Sequence, residues 1–269
     1  MGAPLITFLS DYGHRDDFVG VCHGVIASIC PKARVIDITH GLPRHDVLAG
    51  AIVLRNVLPY MPVGVHLAVV DPDVGADRRA VALRLHGGRV LIGPDNGLLS
   101  LAAAGGDGIV EAADIGRSPF RLAPISATFH GRDIFAPVAA RIAAGASLTD
   151  AGEPLNPAEL VVVAPPQPAR DDDALVAHAV YVDHFGNVQL NVRHEDLAES
   201  GLRLGHRVSL QSGSDPVIAQ FARTFADVGE GELLVYEDAY RTLAVAVSGG
   251  DAAARLGLAP GDELRLRPA

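Results

Sequence analysis

The segment LITFLSDYGHRDDFVGVCHGVIASICPKARVIDI, residues 5–38, begins and ends with an apolar run typical of a β-strand. Residues 5–9 and 34–38 predict these two strands. Between them, residues 18–30 predict a helix that ends at Pro31, because proline cannot continue a helix. Strand, helix and strand in this order predict a βαβ unit, with parallel strands and a helix on the sheet.

The same alternation continues to about residue 145. Residues 47–58 and 132–143 predict helices, and residues 66–70, 80–85 and 90–92 predict strands. We therefore expect an α/β fold class, with an N-terminal α/β domain at residues 1–165 built on a central parallel or mixed sheet.

A proline-rich segment at residues 146–172 precedes a different pattern. From there on the chain is rich in short strand-like runs, at residues 175–182, 187–192, 207–211, 232–236, 242–247 and 263–266. Their spacing is typical of a small barrel or sandwich. Residues 166–269 are therefore predicted to form a second, smaller domain.

Composition excludes several classes of protein. Of 269 residues, 49% are apolar and 20% charged, and the net charge of −10 argues against binding nucleic acid through its phosphates. No apolar run approaches the roughly 20 residues that cross a bilayer, and the N-terminus lacks the basic start of a signal peptide. Cys22 and Cys30 lack zinc-site or redox spacing, which predicts buried thiols in the cytoplasm.

Polar, often glycine-containing loops follow the predicted strands of the first half. They lie at residues 10–17, 39–46, 71–79, 93–97 and 128–133. The last loop places His130, Arg132 and Asp133 in an otherwise apolar run, with Gly131 leaving room for a ligand. Because ligands bind beyond the carboxyl ends of the strands of an α/β sheet, these loops predict a small-molecule site.

Several of these residues have simpler interpretations. Asp16, Asp17 and Asp46 are candidate helix caps, His40 is a candidate core histidine, and residues 95–97 form a good turn. A metal site is another interpretation of the same loops, because they contain many potential ligands: His14, Asp16, His40, His45, Asp71 and His130. Their spacing matches no metal motif, and we expect no metal. The chain also lacks the motifs of P-loop, dinucleotide-binding and serine-hydrolase sites.

With these loops assembled, the chain resembles the S-adenosyl-L-methionine (SAM) hydrolases, or SAM hydroxide adenosyltransferases, which are relatives of the SAM-dependent fluorinase and chlorinase. The matching motifs occur in order along nearly the whole chain: FLSDYG at 8–13, ITHG at 38–41, VDPDVG at 70–75 with Arg78, PDNGLL at 94–99, TFHGRD at 128–133 and FGN at 185–187.

This resemblance implies a fold and an assembly. It implies an N-terminal α/β domain, a C-terminal β-barrel and a homotrimer, with each active site between the N-terminal domain of one subunit and the C-terminal domain of its neighbour. It also implies hydrolysis of SAM to adenosine and L-methionine without cofactor or metal, by a triad of Asp71, Arg78 and His130.

The resemblance also implies the residues that hold the substrate. Asp11 would bind the ribose diol, because one carboxylate can accept both O–H groups. Asp183 would bind the methionine ammonium, and Phe185 and Asn187 the adenosine. The methionine carboxylate would contact the backbone of Ser248 and Gly249.

Chemistry suggests a role for each triad residue. Asp71 and His130 are expected to orient and deprotonate a water molecule while Arg78 stabilises negative charge. The fluorinase has no acid at the position of Asp71 and a serine at that of Gly131, and a carboxylate repels a halide. We therefore expect water as the nucleophile, with a non-catalytic SAM-binding sensor as the alternative. Two points stay open: the choice between Arg78 and Arg79, and Asp73, where the family more often has glycine.

Overall fold

The computed structural model describes residues 3–105, 108–198, 200–213 and 215–269. The chain forms two units, Met1–Ala164 and Pro165–Ala269. Within the described residues, no helix has the length and apolar character needed to span a membrane.

The first unit alternates strands and helices as far as its third strand, and the next two strands follow without an α-helix between them. Its elements are β1 (Leu5–Ser10), α1 (Phe18–Ile29), β2 (Arg34–Thr39), α2 (Val47–Val57), β3 (Val65–Val69), β4 (Ala80–Leu85), β5 (Val90–Pro94), α3 (Ser100–Ala104), β6 (Ile109–Asp114), α4 (Ala136–Ala143), α5 (Leu148–Ala151) and β7 (Glu153–Pro154). A π-helical turn, Gly131–Phe135, leads directly into α4.

These strands form one mixed sheet in the order β2-β1-β3-β5-β4-β6-β7, as traced through the described residues. Strands β2, β1, β3 and β5 are parallel, whereas β4 runs antiparallel to both β5 and β6. Strand β4 therefore begins at the edge where its parallel neighbours end. This order confirms the predicted fold class and brings the polar loops to one edge of the sheet.

Helices α1 and α4 pack side by side on one face of this sheet. Ile6 and Phe8 of β1 are fully buried there together with Cys22 of α1 and Val138 of α4. Burying an aliphatic or aromatic side chain stabilises a fold by about 1.5–3 kcal/mol. Cys22 and Cys30 are both buried and free, which confirms their predicted packing role.

The second unit is a closed β-barrel with a short outer strand. Seven strands close in the order β10-β14-β13-β12-β11-β15-β9, where β9 pairs again with β10, and β8 lies outside on β9. The elements are β8 (Ala169–Asp171), β9 (Ala174–Val182), β10 (Val188–Arg193), β11 (Arg207–Gln211), β12 (Val217–Phe221), β13 (Leu233–Glu237), β14 (Thr242–Val247), α6 (Ala252–Leu256) and β15 (Glu263–Pro268).

The structure differs from the sequence prediction in several places. The predicted helix 132–143 is α-helical only from Ala136, because its first turn is the wider π turn. Strands β6 and β12 were not predicted; β6 carries alanines and acids, which are poor strand formers. Asp17 rather than Asp16 occupies the N-cap of α1, without a capping hydrogen bond, whereas Asp46 caps α2 as predicted by accepting from Ala49 N (2.8 Å).

Candidate active site

Three charged or titratable side chains meet where β3 ends and β4 begins. Asp71 lies two residues beyond β3, Arg78 lies two residues before β4, and His130 is the N-cap of the π-helical turn. The structure thus brings together the three predicted triad residues from two separate loops of the first unit. Their roles in a reaction stay a prediction.

Arg78 links the other two side chains. Its Nε and Nη2 donate to Oδ1 and Oδ2 of Asp71 at 2.8 and 2.5 Å, and its Nη2 lies 2.7 Å from His130 Nδ1. The Arg78 and Asp71 side chains are only 8% and 6% exposed. A two-pronged, largely buried contact of this kind is the strong form of ion pair and fixes both partners.

The contact with Arg78 determines the protonation of His130. A guanidinium can only donate hydrogen bonds, so Nδ1 must accept and the ring proton lies on Nε2. Burial, and after it the charge of Arg78, lowers the pKa of His130 below its usual 6.5, although Asp71 and Asp133 act in the opposite direction. His130 is therefore neutral near pH 7, with Nε2 as a donor.

Arg79, next to Arg78, is held elsewhere. Its Nε donates to Asp95 Oδ2 at 2.8 Å, and its Nη1 lies 3.5 Å from Glu159 Oε2. Asp95 also accepts from the backbone of Val161 at 2.9 Å, so it holds a later segment of the chain. The geometry assigns Arg78, and not Arg79, to the cluster with Asp71 and His130.

The loop that carries Asp71 and Arg78 bends at a glycine. Gly75 has φ of 85°, and a Cβ there would overlap the carbonyl of Ala127, so this position requires glycine. Asp73, where the family more often has glycine, is not among the residues with positive φ. Its backbone is therefore of a kind that any residue adopts.

Gly131 lies against the loop that follows β1. A Cβ at Gly131 would overlap the hydroxyl of Tyr12, whose ring packs edge-on against Phe8 and Phe129. Burial, followed by the charges of Cys22 and Asp71, raises the pKa of Tyr12 well above its usual value. The position that a Cβ at residue 131 would take is thus occupied by the Tyr12 hydroxyl, and a contact between Gly131 and a ligand stays a prediction.

Short contacts also hold the loops near the cluster in place. Asp133 is 1% exposed, and its carboxylate accepts from Ser126 N (2.7 Å) and from Arg132 (2.6 and 2.9 Å). Asp11 Oδ2 accepts from His45 N at 2.9 Å. Arg78 and His130 also border a cavity of about 530 Å³, which is within the range of small-molecule sites.

The other predicted site residues lie at one end of the barrel in the second unit. Asp183, Phe185 and Asn187 form the β9–β10 loop, and Ser248 and Gly249 follow β14. Asp183 holds its loop together by accepting from Phe185 N (2.8 Å), Asn187 N (2.9 Å) and Asn187 Nδ2 (2.7 Å).

The exposure of these residues is informative. Phe185 is 74% exposed, which is unusual for a large aromatic residue, and its ring lies 5.8 Å from that of the neighbouring His184. Gly249 has φ of 73°, so the turn after β14 favours glycine. These two features describe an end of the barrel on which a planar group can stack.

The potential metal ligands suggested by the sequence are not gathered at one point. Among the described residues, one group of three potential ligands brings its atoms within 4.8 Å of one another: His23, Asp37 and His40. Only His40 was a sequence candidate. His23 and Asp37 could not be found from spacing, since they come from a helix and a neighbouring strand.

Comparison with known proteins identifies relatives over nearly the whole chain. The family model for the SAM hydroxide adenosyltransferase N-terminal domain matches residues 6–152, and that for the C-terminal domain matches residues 177–265. An (R)-S-adenosyl-L-methionine hydrolase of Salinispora tropica is 50% identical over 264 residues, covering 98% of this chain and 97% of the relative.

More distant relatives include a halide-using enzyme. A fluorinase of an Actinoplanes species is 30% identical over 91% of each chain. Among solved structures, an uncharacterised conserved protein from Thermotoga maritima superimposes with a TM-score of 0.90 at 34% identity, covering 97% of this chain and 99% of the other. The similarity therefore extends to both units.

Proposed function

The chain belongs to the SAM hydroxide adenosyltransferase family, and we propose that it hydrolyses S-adenosyl-L-methionine to adenosine and L-methionine. The observation that carries this proposal is the Arg78 guanidinium, which holds Asp71 and His130 in one cluster in a chain 50% identical to a SAM hydrolase. The alternative of a non-catalytic SAM sensor has no support among the relatives.

The reaction is a displacement at carbon. Water attacks C5′ of the adenosyl group on the side opposite to sulfur, and the C5′–S electron pair leaves with methionine as a neutral thioether. The leaving group needs no protonation, so the enzyme acts mainly on the nucleophile. Holding a water molecule in line with the C5′–S bond can supply several kcal/mol of the barrier.

The hydrogen bonds within the triad indicate a separate role for each of its three side chains. Arg78 occupies one position on each Asp71 oxygen, and the carboxylate retains further lone pairs that can accept the proton of water. His130 Nε2 carries a proton and is a donor, so it orients the oxygen of that water. Arg78 stabilises the charge that develops as water becomes hydroxide-like. Asp71 is thus the base and His130 the orienting donor.

The same residues favour water over halide. The Asp71 side chain is only 6% exposed, so its carboxylate would repel a neighbouring anion far more strongly than it would in solvent. A neutral water molecule is instead attracted to both Asp71 and the Nε2–H of His130. We therefore assign this chain to the hydrolases of its family rather than to the fluorinases.

The remaining site residues are proposed to hold the substrate, as the resemblance to the family implies. Asp11 accepts the two ribose hydroxyls, the exposed Phe185 ring stacks on adenine with Asn187 beside it, and Asp183 pairs with the methionine ammonium. The backbone of Ser248 and Gly249 binds the methionine carboxylate.

We further propose a homotrimer in which the barrel of a neighbouring subunit brings the substrate-binding residues of the second unit to the triad. SAM is the substrate, and no cofactor or metal takes part in the reaction.

Labelled water tests the reaction. Chelator-treated protein is incubated with SAM in oxygen-18 water, with the R and S epimers at sulfur supplied separately because the hydrolase relatives are named for the R form. Mass spectrometry should find adenosine labelled at its 5′ oxygen, and the Asp71→Asn variant should lose at least a hundredfold in rate, roughly the contribution of a general base. Unlabelled adenosine, another cleavage product, or binding without turnover would each overturn the proposal.

A further inference from the structure

A second cluster of titratable side chains lies apart from the triad, between α1 and β2. His23 Nε2 and His40 Nε2 lie 2.9 and 3.2 Å from the same oxygen of Asp37, Oδ1. These three atoms lie within 4.8 Å of one another. None of the three residues has a part in the proposed hydrolysis.

Hydrogen bonding does not account for this arrangement completely. The His40 ring is fully buried, and its Nε2 forms no well-aligned hydrogen bond, although Asp37 Oδ1 lies 3.2 Å away. A buried polar atom that lacks a well-formed hydrogen bond destabilises the fold. A group placed between the two rings and the carboxylate would remove this cost.

A divalent transition metal ion is such a group. Two imidazoles and one carboxylate are typical zinc ligands, with metal–ligand distances of roughly 2.0–2.2 Å. Around a tetrahedral ion such ligand atoms lie roughly 3.3 Å apart. The observed separations of 2.9 and 3.2 Å from Asp37 Oδ1 are close to this value, and the ligand atoms of the two histidines lie no more than 4.8 Å apart.

The other ring nitrogen of His40, Nδ1, has the hydrogen-bond partner that a metal-binding histidine needs. Its Nδ1 lies 2.7 Å from Ser10 Oγ, and Ser10 Oγ also accepts from Tyr12 N at 3.3 Å. When Nε2 binds a metal, Nδ1 carries the proton and donates it to an oxygen, which fixes the orientation of the ring. Ser10 supplies that oxygen.

The solvent exposure of the cluster is also compatible with a bound metal ion. The His23 and Asp37 side chains are 35% and 39% exposed, so an ion can enter from solvent and keep a water molecule as its fourth ligand. We propose that His23, Asp37 and His40 form a binding site for Zn²⁺ or a similar borderline divalent metal. The bound ion links α1 to β2 and to the loop after it, and its role is to stabilise the first unit.

Zinc titration of the apoprotein tests this site. Tag-free protein is stripped with a chelator, and Zn²⁺ binding is measured by calorimetry against a competing chelator, with the melting temperature recorded in parallel. We expect one Zn²⁺ per chain and a higher melting temperature, since a ligand that binds only the folded state stabilises it. Mg²⁺ should give neither effect, because it prefers oxygen ligands.

Variants locate the ion. His23→Ala and Asp37→Asn should each weaken Zn²⁺ binding at least tenfold and abolish the thermal shift; both side chains are partly exposed, so the fold should survive. His194→Ala is the matched control, because His194 pairs with Glu237 at 2.6 Å and belongs to no group of three potential ligands among the described residues. Absence of saturable binding, or equal affinity in parent and both variants, would overturn the proposal. Hydrolase activity is not the readout, because the triad lies elsewhere.

Discussion

At the scale of single residues, the shape of the Arg78 side chain matters more than its charge. Its fork engages both oxygens of Asp71 and still reaches His130. A lysine keeps the positive charge but offers a single point of contact, so it cannot hold both partners at once.

We expect Arg78→Lys to lower kcat by roughly a hundredfold, the usual cost of removing one stabilising donor at a reacting centre. Arg79→Lys is the matched control. Arg79 pairs with Asp95 and Glu159, so this variant should keep kcat within about threefold while its melting temperature falls slightly. Steady-state kinetics on both variants checks this; equal losses in kcat would contradict the assignment.

His130 makes the activity sensitive to acid. Its pKa lies below 6.5, first because of burial and then because of the Arg78 charge, so it is neutral above that pH. As the pH falls through this pKa, protonation turns Nδ1 into a donor that faces another donor, Arg78. The rate should therefore be steady near neutrality and fall in acid, with a midpoint below 6.5.

The dependence of kcat/KM on pH measures this midpoint. In His130→Gln, which cannot titrate, the acid limb should move to lower pH while the remaining activity is reduced. A midpoint above 6.5, or an identical acid limb in the variant, would show that His130 does not control the rate.

At the scale of elements, the π-helical turn sets the position of His130. Gly131 begins this turn and lies directly against the Tyr12 hydroxyl on the loop after β1. The absence of a side chain at 131 thus lets two neighbouring loops approach closely, and His130 takes its position from that approach.

We expect Gly131→Ala to reduce kcat/KM by about tenfold or more, because the added methyl group displaces the neighbouring His130 and small misplacements are costly. Adding Tyr12→Phe should restore part of the activity, since the nearest remaining ring atom would be 3.1 Å from the new carbon. Tyr12→Phe alone provides the control. A double variant no more active than Gly131→Ala would show that Tyr12 is not the obstacle.

At the scale of the whole molecule, the proposed trimer requires each active site to combine residues of two subunits. The triad lies in the first unit, and Asp183 and Phe185 lie in the second. Two inactive variants that damage different units should therefore complement each other when their subunits mix.

Co-expression of Asp71→Asn with the double variant Asp183→Ala/Phe185→Ala should restore about a quarter of parental activity, because random mixing in a closed ring leaves that share of sites intact. Each variant alone should be inactive, and sedimentation should find trimers. Mixed trimers without activity would place both halves of the site in one subunit.

The local features of both the fold and the candidate site could be predicted from the sequence. Alternating apolar runs placed the strands and helices of the first unit, and the polar loops after them contained Asp71, Arg78 and His130. Strands β6 and β12 were missed because their residues are weak strand formers or lie among turn signals, so their pairing partners decide their conformation.

By itself the sequence determined the α/β alternation, the polar edge of the sheet and the motifs that place the chain in its family. Tertiary structure decided which of two adjacent arginines meets Asp71, what fills the space at Gly131, and that His23, Asp37 and His40 converge. The reason is physical. Local pattern governs backbone conformation, whereas contacts between side chains depend on the order of the strands and the packing of the helices, which join residues far apart in the chain.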